Sequence, residues 1–169
     1  EGRPTRTAGA VVTGLVREAA RRRMRVAYVE FHHEAQPFRA GGRLFHRRYP
    51  ALLARAAAAR AEGRTGYEAP LRLALQAFGA RPVRPEPGGR HVVLLSDGVP
   101  VVGDPTVGAE RRLARRLGVR VHTVYMGADA TPELLRTIAR ETGGAAFRAA
   151  PDAAGRLEVR PEPARSRAS

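Results

Sequence analysis

The stretch Val92-Val93-Leu94-Leu95-Ser96-Asp97-Gly98 ends a run of four aliphatic residues on a hydroxyl, a carboxylate and a glycine. A strand of that composition suits a parallel sheet covered on both faces, and it stops where the sheet meets a polar edge. In open α/β sheets that carboxyl edge is where ligands gather. Upstream, Gly63-Arg64-Thr65-Gly66-Tyr67-Glu68-Ala69-Pro70-Leu71 sets one threonine in a glycine-flanked loop ahead of an apolar helical pattern. Thr65 and Asp97 are therefore the candidate metal ligands. Two such hard oxygens suit Mg2+, which takes few protein ligands and fills its other positions with water or a partner's carboxylate.

Outward from this stretch the chain alternates helix and strand. Ala8, Val11, Val12, Leu15, Val16 and Ala19 recur at three- and four-residue spacing and predict a helix over Thr7 to Arg22. Val26 to Phe31 reads as a buried parallel strand, and Gly41 to Arg48 as a short edge strand guarded by its arginines. An alanine-rich helix is expected from Tyr49 or Pro50 to Gly63, another from Glu68 to Phe78, and a proline-rich loop from Gly79 to Gly89. Strand His91 to Leu95 leads to a helix begun by Asp104-Pro105 and closed by Gly118. Strand Val119 to Met126 leads to one begun by Thr131-Pro132 and closed by Gly143-Gly144. A short strand over Ala145 to Arg148 completes the expected sheet. One domain over residues 1–149 is expected, with 150–169 a loose, arginine- and proline-rich tail in which Leu157 to Val159 pack locally.

The order and spacing of these segments resemble the von Willebrand factor A domain. The resemblance rests on Val26 to Phe31, Gly63 to Leu75, Leu94-Leu95-Ser96-Asp97-Gly98, Gly118-Val119-Arg120-Val121-His122-Thr123-Val124, and the helix Glu133 to Gly144 with its ending Glu141-Thr142-Gly143-Gly144. It implies a doubly wound, mostly parallel, Rossmann-like α/β sheet with helices on both faces. It also implies a metal ion-dependent adhesion site, at which one Mg2+ is held by an Asp-x-Ser-x-Ser loop on the first strand, a loop threonine matched by Thr65 and an aspartate matched by Asp97. Gly66 and Gly98 would let the backbone approach the ion. Asp-x-Ser-x-Ser does not occur in the sequence. The expectation is a fragment without the central first strand, binding Mg2+ weakly or not at all, whose intact parent captures an acidic residue of a protein partner. For intracellular relatives the resemblance implies an AAA+ ATPase as partner, as in magnesium chelatase.

Composition bounds the alternatives. The 169 residues carry a net charge of +14, and all 30 basic residues are arginine. A polyanion- or RNA-associating domain is therefore the second reading. Aromatic residues make up only 5% of the chain, which argues against base stacking, and Arg111, Arg112, Arg115 and Arg116 read first as a solvated face opposite Ala109, Leu113 and Leu117. No cysteine is present, so disulfides and thiolate metal sites are excluded and a cytoplasmic setting is expected. His32 and His33 are neighbours on an extended segment and point to opposite faces, so they make a poor metal pair. Glu30 or Glu34 as a general base has no nucleophile or acid partner, and no Ser/His/Asp arrangement or phosphate loop occurs. The expected activity is binding, not catalysis.

Overall fold

The apolar run that ends at Ser96 forms the first strand of a four-stranded sheet. A computed structural model describes residues 3–31, 34–58, 66–80 and 88–163. Its main sheet contains β3 (Arg90–Ser96), β4 (Val119–Tyr125), β5 (Ala146–Pro151) and β6 (Leu157–Pro161), in that spatial order. β3, β4 and β5 run parallel and β6 returns antiparallel. The longest ladder joins β3 to β4, from Arg90 opposite Val119 to Ser96 opposite Tyr125. Among the described residues, β3 has a strand partner on one edge only.

Residues alternate between two faces of this sheet, and each face has its own core. Leu94, Val119, Val121 and Tyr125 face α3 (Glu68–Gly79), α4 (Gly108–Leu117) and α5 (Glu133–Glu141), whose Leu71, Leu75, Ala114, Leu135 and Ile138 are nearly all fully enclosed. On the other face Val124 and Ala149 meet Val11 of α1 (Arg3–Arg21), with Val93, Leu95, Phe147 and Leu157 around them. α2 (Tyr49–Ala58) buries Leu52 and Ala56 and packs along α1. The expected α/β architecture, mostly parallel and with helices on both faces, is present.

Several local expectations are corrected. Val26 to Phe31 does not enter the parallel sheet. Its strand, β1 (Tyr28–Phe31), is half-buried throughout and pairs antiparallel with β2 (Ala35–Phe38) in a separate two-stranded sheet. Gly41 to Arg48 is no strand, because Gly41 and Gly42 turn the chain at φ 56 and 75 and leave only isolated bridges at Arg43 and His46. The end expected for the α2 segment, at Gly63, lies outside the described residues, as does most of the loop expected before β3. The segment beyond residue 150 is not loose throughout, since β6 pairs with β5 along its whole length.

The two expected helix starts are displaced. Asp104 does not cap α4 directly; its carboxylate accepts the Thr106 N–H and hydroxyl, each at 2.8 Å, and the Gly108 N–H at 3.2 Å, forming a turn ahead of the helix. Those bonds, the Thr106 hydroxyl first, hold its pKa below the ordinary carboxylate range. The Thr131 hydroxyl donates to Glu162, just after β6, instead of to the first turn of α5. Glu162 also accepts from Arg136 of α5 at 3.0 Å, so the segment leaving β6 is tied back to the core. At the far end of α5 the buried Thr142 hydroxyl accepts the Val121 N–H at 3.0 Å and donates to Ile138 O at 2.8 Å. A Cβ on Gly144 would collide with the Val121 carbonyl, so the expected Gly143-Gly144 ending is needed for close approach as well as for the turn.

A histidine relay closes the amino end of the ladder. The Ala145 N–H donates to His122 Nδ1 at 3.1 Å, which leaves the proton on Nε2, 3.0 Å from His91 Nδ1. His91 Nε2–H then donates to the Gly88 carbonyl at 2.5 Å, and the two rings stack at 5.2 Å. The His122 imidazole must be neutral for the relay to hold. Burial first, then the charges of His91 and Arg120, depresses the His122 pKa. A depressed folded-state pKa means that the unfolded chain takes up the proton first, so stability is complete above about pH 6.5 and declines as pH falls. Urea unfolding at about pH 7.5 and about pH 5 should show this decline in the wild type and a smaller one in His122→Gln. Equal declines in the two proteins would contradict the relay.

Candidate functional site

The carboxyl end of β3 is held from below by a buried hydroxyl pair. Ser96 is 4% exposed and Tyr67, at the entry to α3, is fully enclosed. The Tyr67 hydroxyl donates across Ser96 Oγ at 2.7 Å and the Gly98 carbonyl at 2.5 Å, while Ser96 Oγ accepts the Gly98 N–H at 3.3 Å. Phe31, the last residue of β1, meets the Tyr67 ring edge-on at 6.4 Å. Burial pushes the Tyr67 phenol up to about 12. It therefore stays a protonated donor at neutral pH.

This clamp turns the chain so that Ser96 points inward and Asp97 outward, and Asp97 is exposed. The backbone entering α3 is tied to the loop beyond it. Glu68 accepts the Asp104 N–H at 2.9 Å, pairs with Arg72, and occupies the space a side chain on Gly103 would need. The Asp104 backbone bond, then Arg72, holds the Glu68 carboxylate below its usual range. A second exposed carboxylate, Asp129, follows β4; after burial, its charge contributes most to raising the pKa of Tyr125, to which Asp97 also contributes.

Asp97 thus stands on the carboxyl rim, as expected of it. Thr65 lies outside the described residues, two positions before Tyr67. A Cβ on Gly98 would meet nothing within 4 Å, so no contact among the described residues requires glycine there. His32 and His33 lie outside the described residues, and Glu30 is engaged by Arg55 at 2.7 Å. Tyr67, Ser96 and Asp129 were not singled out from sequence. Tyr67 did carry a signal, as a lone aromatic residue in a loop otherwise built of small and charged ones.

The donor set can be set against what Mg2+ needs, roughly six oxygens in near-octahedral array. Asp97 offers one free carboxylate. Ser96 Oγ is consumed by the clamp, and Glu68 and Asp104 are committed to the loop. Among the described residues no group of three or more histidine, cysteine, aspartate or glutamate side chains could hold a metal ion. The described residues do not by themselves fit a complete Mg2+ site.

Shortly after Asp97 the chain exposes two valines. Val99 and Val101 are 55% and 65% exposed, and a cleft of about 420 Å3 is lined by Val99, Pro100, Pro105, Thr106, Arg111, Leu134 and Thr137. No helix among the described residues is long and apolar enough to cross a membrane.

The fold is of the von Willebrand factor A type. The chain is similar to the solved structure of von Willebrand factor type A from Catenulispora acidiphila, with a TM-score of 0.66 and 22% identity, over 85% of this chain and 34% of that one. It therefore spans about a third of that protein's length. An uncharacterized membrane spanning protein from Vibrio fischeri is matched at 22% identity over 87% of this chain and 79% of that one, but its TM-score of 0.33 carries no argument. No family model and no curated protein matches the sequence.

Replacing Tyr67 by Phe removes the clamp's donor and keeps its ring. The expected loss is about 1–3 kcal/mol in urea unfolding, because the Gly98 carbonyl and Ser96 lose a buried partner. Asp97→Ala, at an exposed position, should stay within about 0.5 kcal/mol of wild type. Equal effects from the two substitutions would mean that the clamp does not order this rim.

Proposed function

We propose that this von Willebrand A-type domain is a non-catalytic protein-binding module and that its contact surface is the carboxyl rim carrying Asp97. The observation that carries this reading is an exposed carboxylate on a turn clamped by buried Tyr67 and Ser96, beside the exposed Val99 and Val101. Exposed apolar side chains next to a rigid polar group suit contact with another protein.

The finer reading is metal-dependent. In the intact protein carrying this chain, Mg2+ would be held by Asp97, by Thr65 on the loop leading into Tyr67, and by further oxygens from outside the described residues. When bound, such an ion supplies a positive centre that accepts a partner's carboxylate. The residues of this chain orient Asp97 through the Tyr67 clamp and offer Val99 and Val101 as apolar surroundings. An AAA+ ATPase presenting an acidic residue is the partner that the family resemblance suggests.

In the intact protein, a panel of peptides each carrying one Asp or Glu should bind in Mg2+ and be released by EDTA. Asp97→Ala should weaken that binding by about tenfold or more, equivalent to about 1.4 kcal/mol. Val99→Ser with Val101→Ser should lower affinity while leaving the Mg2+ dependence intact. Binding indifferent both to EDTA and to Asp97→Ala would overturn the metal-dependent reading.

A further inference from the structure

Helix α4 sorts its charges by face. Glu110 is buried, 3% exposed, and pairs with Arg72 of α3 at 3.0 Å. Arg111 turns toward α5 and pairs with Glu141 at 3.1 Å, so it does not belong to the outer arginine face expected from sequence. Ala114 is enclosed, and Leu113 and Leu117 pack on the core. Arg112, Arg115 and Arg116 are exposed and, with Ala109, line a shallow groove of about 670 Å3. Among the described residues none of these three has a carboxylate partner, whereas Arg22, Arg55 and Arg160 each have one.

Helix stability does not account for the trio. Arg115 and Arg116 occupy the last turn, where the helix dipole favours cations, but Arg112 lies in the first half of α4, where it does not. Arg112 also stands three and four residues from the other two, at spacings where like charges repel. A solvated face needs charge of some sign. It does not need three unmatched guanidinium groups around one groove.

We propose that this face of α4 binds the phosphate backbone of a nucleic acid without reading its bases. Neighbours three and four residues apart on a helix are about 5–6 Å from one another, so three guanidinium groups can engage successive phosphates along a strand. The sequence of α4, Gly-Ala-Glu-Arg-Arg-Leu-Ala-Arg-Arg-Leu, contains no aromatic residue for base stacking. Its leucines face the core, leaving the groove no apolar side chain larger than that of Ala109 to enter a lipid surface. The net charge of +14 adds long-range attraction for a polyanion. This surface is separate from the Asp97 rim and does not depend on the proposed function.

The test is fluorescence anisotropy of the chain with a short labelled DNA duplex between about 50 and about 200 mM salt. Arg112→Ala, Arg115→Ala and Arg116→Ala together should weaken binding about tenfold or more and lower the slope of log affinity against log salt by about 2 to 3. Alanine favours helix, so circular dichroism should show α4 retained. A control removing the same charge elsewhere, Arg17→Ala, Arg43→Ala and Arg120→Ala, should cost less than about threefold if the site is local. Equal losses in both triple variants would overturn the proposal, as would no loss on α4. Tighter α4-dependent binding to phosphatidylserine vesicles or to polyglutamate than to the duplex would overturn it as well.

Discussion

The parallel ladder between β3 and β4 is the constraint on which the rest of this structure depends. Its register, from Arg90 opposite Val119 to Ser96 opposite Tyr125, decides which residues face which core. A slip of one residue would exchange the two faces of β3 and place His91, Val93 and Leu95 where α3, α4 and α5 now meet Val92 and Leu94. The same register brings His91 beside His122 at the amino end and ends the strand on Ser96 at the other. Relay and candidate site are thus the two ends of one ladder.

Each end is fixed by a polar group that the apolar core makes selective. At the rim, Tyr67 is enclosed by Leu71, Leu94 and Tyr125, so its hydroxyl has no water to turn to and must use Ser96 and the Gly98 carbonyl. That requirement converts core packing into the position of an exposed carboxylate. On the far side of the same core, Glu110 and Arg111 of α4 find carboxylate or guanidinium partners on α3 and α5. Among the described residues the trio on the outer face of α4 finds none.

What the sequence made legible were the features written locally. The aliphatic run of β3 ended at the rim as expected, and α1 and α3 followed their periodicity to within a few residues of their observed ends. Asp97 could be placed because a strand end and an Asp-Gly turn coincide there. Several of the misreadings involve partners distant in sequence. Leu157 and Val159 alternate with charged residues, a weak pattern that becomes a strand only because β5 offers an edge. Thr131 precedes a proline as a cap should, but Glu162 competes for its hydroxyl from 31 residues away. Tyr67 was legible as an oddity but not as a clamp, since its partner Ser96 lies 29 residues along the chain.

The proposed function rests on Asp97, at the clamped end of β3, as the place on the surface where a hard cation would be held. It is tested most directly by adding substoichiometric Mn2+, an oxygen-seeking paramagnetic stand-in, to the isotopically labelled chain and recording amide NMR spectra. Even weak binding broadens the nearest signals. The account predicts that Gly66, Asp97 and Gly98 broaden first. Broadening centred instead on Asp152 and Glu158 of the β5–β6 hairpin, with Asp97 unaffected, would contradict it.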